Sequence, residues 1–181
     1  MPQTNKNNNL VLIAVAIISI AVGVFVSQKL IKAPATIPEN LSATLLDKAR
    51  PLHNFELINH DNQHFNLKSL KDNWSFLYFG YTHCPDVCPL AMQVMRKVWQ
   101  APELKTALAS NMQMIFVSVD PNRDTPALLK AYAQYYNLAF IGVTGKANEI
   151  DNLTRQIGIL YNLDAPNEKG DYNVSHSRQI I

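Results

Sequence analysis

A chain of 181 residues with 16 basic and 14 acidic side chains carries a formal charge of +2, and its length suits one domain plus an appendage. That charge is too small to imply a nucleic-acid partner, and no basic run or basic–aromatic patch appears. Two cysteines cannot build a disulfide scaffold, so their placement has to be read for chemistry.

Leu10 to Gln28 contains no charge and is almost wholly aliphatic. As a helix it would span roughly 28 Å, about the hydrocarbon thickness of a bilayer. A cleaved signal peptide is the rival reading. Its apolar core is normally shorter, and Lys29 and Lys32 separate this run from the A-x-A candidate Ala33-Pro34-Ala35. We therefore expect an uncleaved membrane anchor. Lys6 and the amino terminus stand on one side of it and Lys29 and Lys32 on the other, so charge barely selects an orientation. The Asn-rich start is not an Arg-rich transit peptide, which favours a bacterial inner membrane over an organelle. The expected organisation is a tail and anchor over 1–32, a linker over 33–50 holding Pro34 and Pro38, and a domain over 51–181.

Phe55 to Ile58 and His64 to Leu67 flank the polar His60-Asp61-Asn62-Gln63 and read as a hairpin. His53, His60 and His64 lie in or beside it and read as solvated residues. Ser75 to Tyr81 alternates too little to expose one face, which predicts a central strand. Leu90 to Leu108 carries Met92, Met95, Val98 and Trp99 at helical spacing; the methionines read as a buried stripe rather than as metal ligands. Met112 to Val119 is an unbroken apolar strand. A turn over Asp120 to Thr125 follows, then a helix to about Tyr136, with Asp124 or Thr125 as cap and Pro126 in its first turn. Ala139 to Val143 reads as a strand, Ala147 to Leu160 as a helix, Asn162 to Asn173 as a polar loop, and Tyr172 to Ile181 as a final strand.

Strands alternating with helices imply a mixed sheet covered on both faces. Functional groups in such folds gather outside the carboxyl ends of the strands, where Cys84, Cys88 and Asp120 fall. No phosphate loop, dinucleotide fingerprint or G-x-S-x-G elbow is present.

Both cysteines lie in Phe79-Gly80-Tyr81-Thr82-His83-Cys84-Pro85-Asp86-Val87-Cys88-Pro89, a strand end, a tight turn and a helix start. Pro89 suits the first position of a helix, because its missing N–H would be unpaired there. Cys88 is then expected near the N-cap, where unpaired amides and the helix dipole favour a thiolate, and it should be the more acidic thiol. Cys84 is placed to share a ligand with it or to form a disulfide. Three readings stay open at this point. One is a structural disulfide. Another is a catalytic dithiol, although redox pairs usually have two intervening residues and Pro85-Asp86-Val87 makes three. The third is a soft-metal site, which needs at least one more ligand; two thiolates and a neutral imidazole suit Cu(I) by softness, while their two negative charges make either Cu(I) or Cu(II) electrostatically plausible.

The same block resembles the signature of the Sco/SenC family, the copper chaperones of cytochrome c oxidase assembly. Val119-Asp120-Pro121 with Arg123-Asp124-Thr125-Pro126 is similar to the family's second motif, and Phe140-Ile141-Gly142-Val143-Thr144-Gly145 to its third. Tyr172-Asn173-Val174-Ser175-His176-Ser177 resembles the block that supplies a ligand histidine. The match runs from about Leu52 to the end.

The resemblance implies a thioredoxin-like α/β fold on an N-terminal transmembrane helix, with the soluble domain in the periplasm. It implies a copper ion bound by Cys84, Cys88 and His176 and delivered to cytochrome c oxidase subunit II. Other copper chaperones or thiol reductants are further implied partners. An alternative role is a thiol–disulfide oxidoreductase that cycles Cys84 and Cys88 and keeps the target's cysteines reduced. Asp120 and Asp124 match an acidic motif near the metal, and His83, at a position that varies, is a candidate fourth ligand. Ser175 stands where an acidic residue is common. The family plan continues past Gln179-Ile180-Ile181 with another strand and a terminal helix, so the sequence reads as C-terminally incomplete.

Overall fold

The computed structural model describes residues 6–30, 46, 48–102 and 111–181, with side chains from 11 to 27 inside the first of these ranges. The chain divides into two units, Met1–Ala49 and Arg50–Ile181. In the first, α1 (Lys6–Leu30) is a 25-residue helix. Its described side chains from Val11 to Val26 are exposed. Among the described residues no helix is long and apolar enough to cross a membrane. Most of the expected linker lies outside the described residues.

The second unit opens with a hairpin of β1 (Leu57–Asn59) and β2 (His64–Phe65), paired Leu57 to Phe65 and Ile58 to His64. Asn59 shapes its turn: the side-chain oxygen accepts from the N–H groups of Asp61 and Gln63 at 3.0 and 2.9 Å. Leu67 belongs not to β2 but to α2 (Leu67–Leu70), which Asn66 and Ser69 close with a capping box. His60 is not a solvated turn residue. It is buried, its Nδ1 accepts the Gly142 N–H at 2.9 Å, and burial lowers its pKa. The polar turn around it gives no sign of this, because the partner amide is 82 positions away.

The body of the unit is a five-stranded mixed sheet in the order β2-β1-β5-β4-β3. Strand β3 (Trp74–Gly80) runs parallel to β4 (Met112–Ser118), which runs parallel to β5 (Ile141–Thr144); β5 pairs antiparallel with β1. Every residue from Met114 to Asp120 is buried, so both faces of β4 are covered. The expectation that the β3 segment is central fails: β3 is the last strand of this sheet. An apolar run reports burial of two faces and says nothing about which strands flank it. The outer edge of β3 is met by the chain end, where the Leu77 N–H donates to Ile181 O at 2.7 Å and the Ile181 N–H to Leu77 O at 3.0 Å.

Helix α3 (Val87–Gln100) buries Cys88, Met92, Met95 and Trp99 on one side. It starts three residues before the expected Leu90, and residues 103–110 of the expected helix lie outside the described range. Helix α4 (Pro126–Tyr136) is capped by Thr125, whose hydroxyl accepts the Leu128 N–H. Helix α5 (Ala147–Ile157) stops short of Leu160 because Gly158 takes the left-handed conformation at φ 77°. The expected loop-then-strand from Asn162 is instead a second small sheet. There β6 (Tyr161–Leu163) pairs with β7 (Val174–His176), with Tyr161 opposite His176.

Candidate metal centre

The site is assembled where β3 and β4 end. After Gly80 the chain turns, with the Cys84 N–H returning to Tyr81 O at 3.2 Å, and enters α3 at Val87. Asp86 is the N-cap residue, so Cys88 is the second residue of the helix. Its N–H points back at the loop and reaches the Cys84 sulfur at 3.5 Å. The first-turn amide expected to favour Cys88 is therefore given to Cys84. The Cys88 side chain runs the other way, into the core, where it has no exposure. Burial pushes its thiol up to about 12, against an opposing pull from the Tyr81 backbone. The expectation that the helix start favours a Cys88 thiolate is not met, because burial opposes ionisation there. Proximity to a helix N-terminus was legible in the sequence; the direction in which the sulfur leaves the helix was not.

Gly80 makes room for that sulfur. A Cβ built there would lie 2.6 Å from Cys88 Sγ, 3.2 Å from the Phe116 ring and 3.3 Å from the Tyr78 ring. No side chain fits without moving one of the three.

His176 comes from the far end of the β6–β7 hairpin, 88 positions from Cys88, and its Nε2 lies 3.3 Å from the Cys88 sulfur. Its Nδ1 is 2.8 Å from Ser177 O. A carbonyl only accepts, so Nδ1 carries the proton and Nε2 presents its lone pair. The raised Cys88 thiol is protonated at neutral pH and can donate to that lone pair. The Tyr78 and Tyr81 rings stand edge-on to the imidazole at 6.1 and 5.9 Å and fix its plane. The two sulfurs and the imidazole nitrogen all lie within 4.8 Å of one another. Among the described residues this is the one such group of histidine, cysteine or acidic side chains. Two sulfurs and one imidazole are a soft donor set of the kind that selects Cu(I).

Asp120 and Asp124, both fully buried, are not in that group. They hold the segments that carry it. Asp124 accepts the Thr82 N–H at 2.9 Å, the Thr82 hydroxyl at 2.5 Å and the Ser118 hydroxyl at 2.6 Å, which pins the loop two residues before Cys84. Asp120 accepts Arg123 Nε at 2.5 Å and the Tyr172 hydroxyl at 2.6 Å, four residues before His176. His83 points its Nδ1 at Thr82 and Asp124, away from the donor group, and its side chain is half exposed. Gly80 and Thr82 stand in the block that carries the cysteines but show no role of their own in one dimension, and Ser118 and Tyr78 show none either. Arg123 and Tyr172 stand inside recognisable blocks, but nothing in one dimension pairs them.

Access is one-sided. Both cysteines are buried, whereas His176 is partly exposed and lines an open hollow of about 340 Å³ with Leu160, Tyr161, Asn162, Ser175 and Ser177. A cavity of about 890 Å³ lies between β1, the start of α4 and the start of α5, and none of the three donors lines it.

A model of the SCO1/SenC family matches residues 44–181. A putative copper-binding protein of Stutzerimonas stutzeri is 35% identical over 142 residues, covering 78% of this chain and 68% of the relative. The mitochondrial SCO2 homolog of Bos taurus is 34% identical over 126 residues, covering 70% of this chain but 47% of the relative. The chain thus spans about half the length of that protein. Among solved structures, Bradyrhizobium japonicum ScoI with copper bound aligns with a TM-score of 0.63 and 34% identity, over 71% of this chain and 79% of that one. The mixed α/β fold described above is shared with it.

Proposed function

The chain belongs to the SCO1/SenC family, and on that premise we propose that it takes up one copper ion on Cys84, Cys88 and His176 and passes it to the copper site of cytochrome c oxidase subunit II. The observation that carries this reading is the convergence of two sulfurs and a correctly tautomerised imidazole from elements far apart in the chain. Copper is the cargo here. What the protein contributes is a donor set held in place before the ion arrives, with a buried pair on one side and an exposed imidazole on the other. Incoming donors of an acceptor would meet His176 first.

A thiol–disulfide role would use the same cysteines, which are free. It needs an accessible thiolate at neutral pH. Cys88 is buried and burial opposes its ionisation, and His176 has no part in such a cycle. The geometry favours the metal.

Copper must displace the Cys88 proton to bind that sulfur. Titrating the reduced full chain with Cu(I) in weakly buffered solution should give one copper per chain and release at least one proton per copper. The apparent affinity should rise about tenfold per pH unit between pH 6 and 8 for each proton displaced. Uptake without proton release would show that Cys88 is not a ligand. The sign for stability is also set. The folded thiol is raised above its unfolded value, so its contribution is complete below the unfolded pKa and is lost as pH climbs through about 12.

Tethering belongs to the same proposal. Its support is in the sequence: the whole run from Leu10 to Gln28 is uncharged and mostly aliphatic, about the length a bilayer anchor needs, and such an anchor would leave 51–181 in the periplasm. A reporter joined at Ile181 should be active on the periplasmic side; activity in the cytoplasm would contradict the placement.

A further inference from the structure

We propose that Arg123 is a latch that sets how long His176 stays on copper. The inference rests on the copper reading above and adds to it a positioning residue and a route for release.

The two ligand-bearing segments are held by the same turn, β4 to α4, but in different ways. Asp124 anchors the cysteine loop through three hydrogen bonds inside the protein. The strand leading to His176 is held through Tyr172, and there Arg123 is the middle piece. Its Nε is tied to buried Asp120, one Nη donates to Tyr172 O at 3.1 Å, and its guanidinium lies 3.8 Å from the centre of the Tyr172 ring. The same guanidinium is 5.6 Å from the centre of Tyr81, the ring that stands against His176. Arg123 therefore sits between a ring of the cysteine loop and a ring of the histidine hairpin. A planar, forked cation makes all of these contacts together, and an ammonium cannot.

The hold is incomplete. Nη2 of Arg123 is buried with no hydrogen-bond partner, a state that lowers the cost of opening because water can supply what the closed form withholds. Opening would carry Tyr172 away from Asp120 and Arg123 and let the hairpin draw His176 outward, toward the side on which it is already exposed. One copper–nitrogen bond breaks as one bond to an incoming sulfur or nitrogen donor forms, and no electron is transferred. Copper stays on the two cysteines while the acceptor takes the vacated position.

The test is the rate at which Cu(I) leaves the loaded full chain for an excess of a chromophoric Cu(I) chelator, followed by stopped flow. Arg123→Lys should release copper about 10–100-fold faster, the range typical of groups that orient a metal ligand. Tyr172→Phe, which loses only the hydroxyl bond to Asp120, should shift the rate in the same direction by less, and it serves if the lysine variant fails to fold. In a His176→Ala background neither change should alter the rate, because the group they position is gone. Equal acceleration in both backgrounds would mean general loosening and would overturn the latch. So would Tyr172→Phe and Arg123→Lys rates matching wild type. A wild-type chain that takes up no copper at all would remove both the latch and the reading beneath it, and is thereby told apart from failure of the latch alone.

Discussion

Replacing His176 with alanine should weaken copper binding by more than the roughly 10–100-fold that loss of a ligand-orienting group costs, while leaving the apo fold close to wild type. The imidazole is partly exposed and hydrogen-bonds to Cys88 and to its own neighbour Ser177, so truncation opens no large core cavity. The consequence appears when copper is present. An ion that binds only the folded chain stabilises it by about 4 kcal/mol at a free concentration a thousandfold above its dissociation constant. If that constant rises a hundredfold, the same copper gives only about 1.4 kcal/mol. Thermal unfolding with and without copper should therefore show a gain of several degrees in the wild type and a small one in His176→Ala. A thiol–disulfide oxidoreductase predicts the reverse: cysteine cycling essential, His176 dispensable, and equal copper gains in the two proteins.

Gly80→Ala should strike the same site from behind. The new methyl would stand 2.6 Å from Cys88 Sγ, with buried Phe116 and Tyr78 closing the other directions. Overpacking of this kind costs about 1–3 kcal/mol, and the movable neighbour is the sulfur itself. We expect a lower melting temperature together with weakened copper uptake, measured on the full chain by thermal unfolding and chelator competition. Ser118→Ala is the comparison, since it removes the hydroxyl's bond to Asp124 and its bond from the Asp120 N–H without entering the space around the sulfur. Unchanged copper affinity in Gly80→Ala would mean that the Cys88 sulfur is not confined where the structure has it.

What the sequence made legible follows from what is local. The strand, turn and helix around Cys84 and Cys88, the hairpin before them and the capped α4 all announce themselves through spacing, turn residues and Pro126. The pairing of the two cysteines with His176 did not: a lone histidine near a chain end carries no local sign of ligation, and the resemblance to a family supplied it. The expectations of a solvated His60 and a helix-favoured Cys88 thiolate fail for one reason. His60 and Cys88 each sit in a locally polar or turn-like context, yet their partners, Gly142 and the core around Tyr78 and Phe116, arrive from elsewhere in the sheet. The motif brings Asp120 and Asp124 near the site, and for Asp120 so does its place at the carboxyl end of a strand. Their work as separate anchors, one for Thr82 and one for Tyr172, depends on side-chain direction within a turn, which spacing does not encode.

X-ray absorption at the copper edge of the loaded, reduced full chain tests the central claim most directly. We predict a first shell of two sulfur scatterers and one nitrogen scatterer with the multiple-scattering pattern of an imidazole, and loss of that pattern in His176→Ala with both sulfurs retained. A shell without the imidazole in the wild type, or one unchanged by His176→Ala, would contradict it.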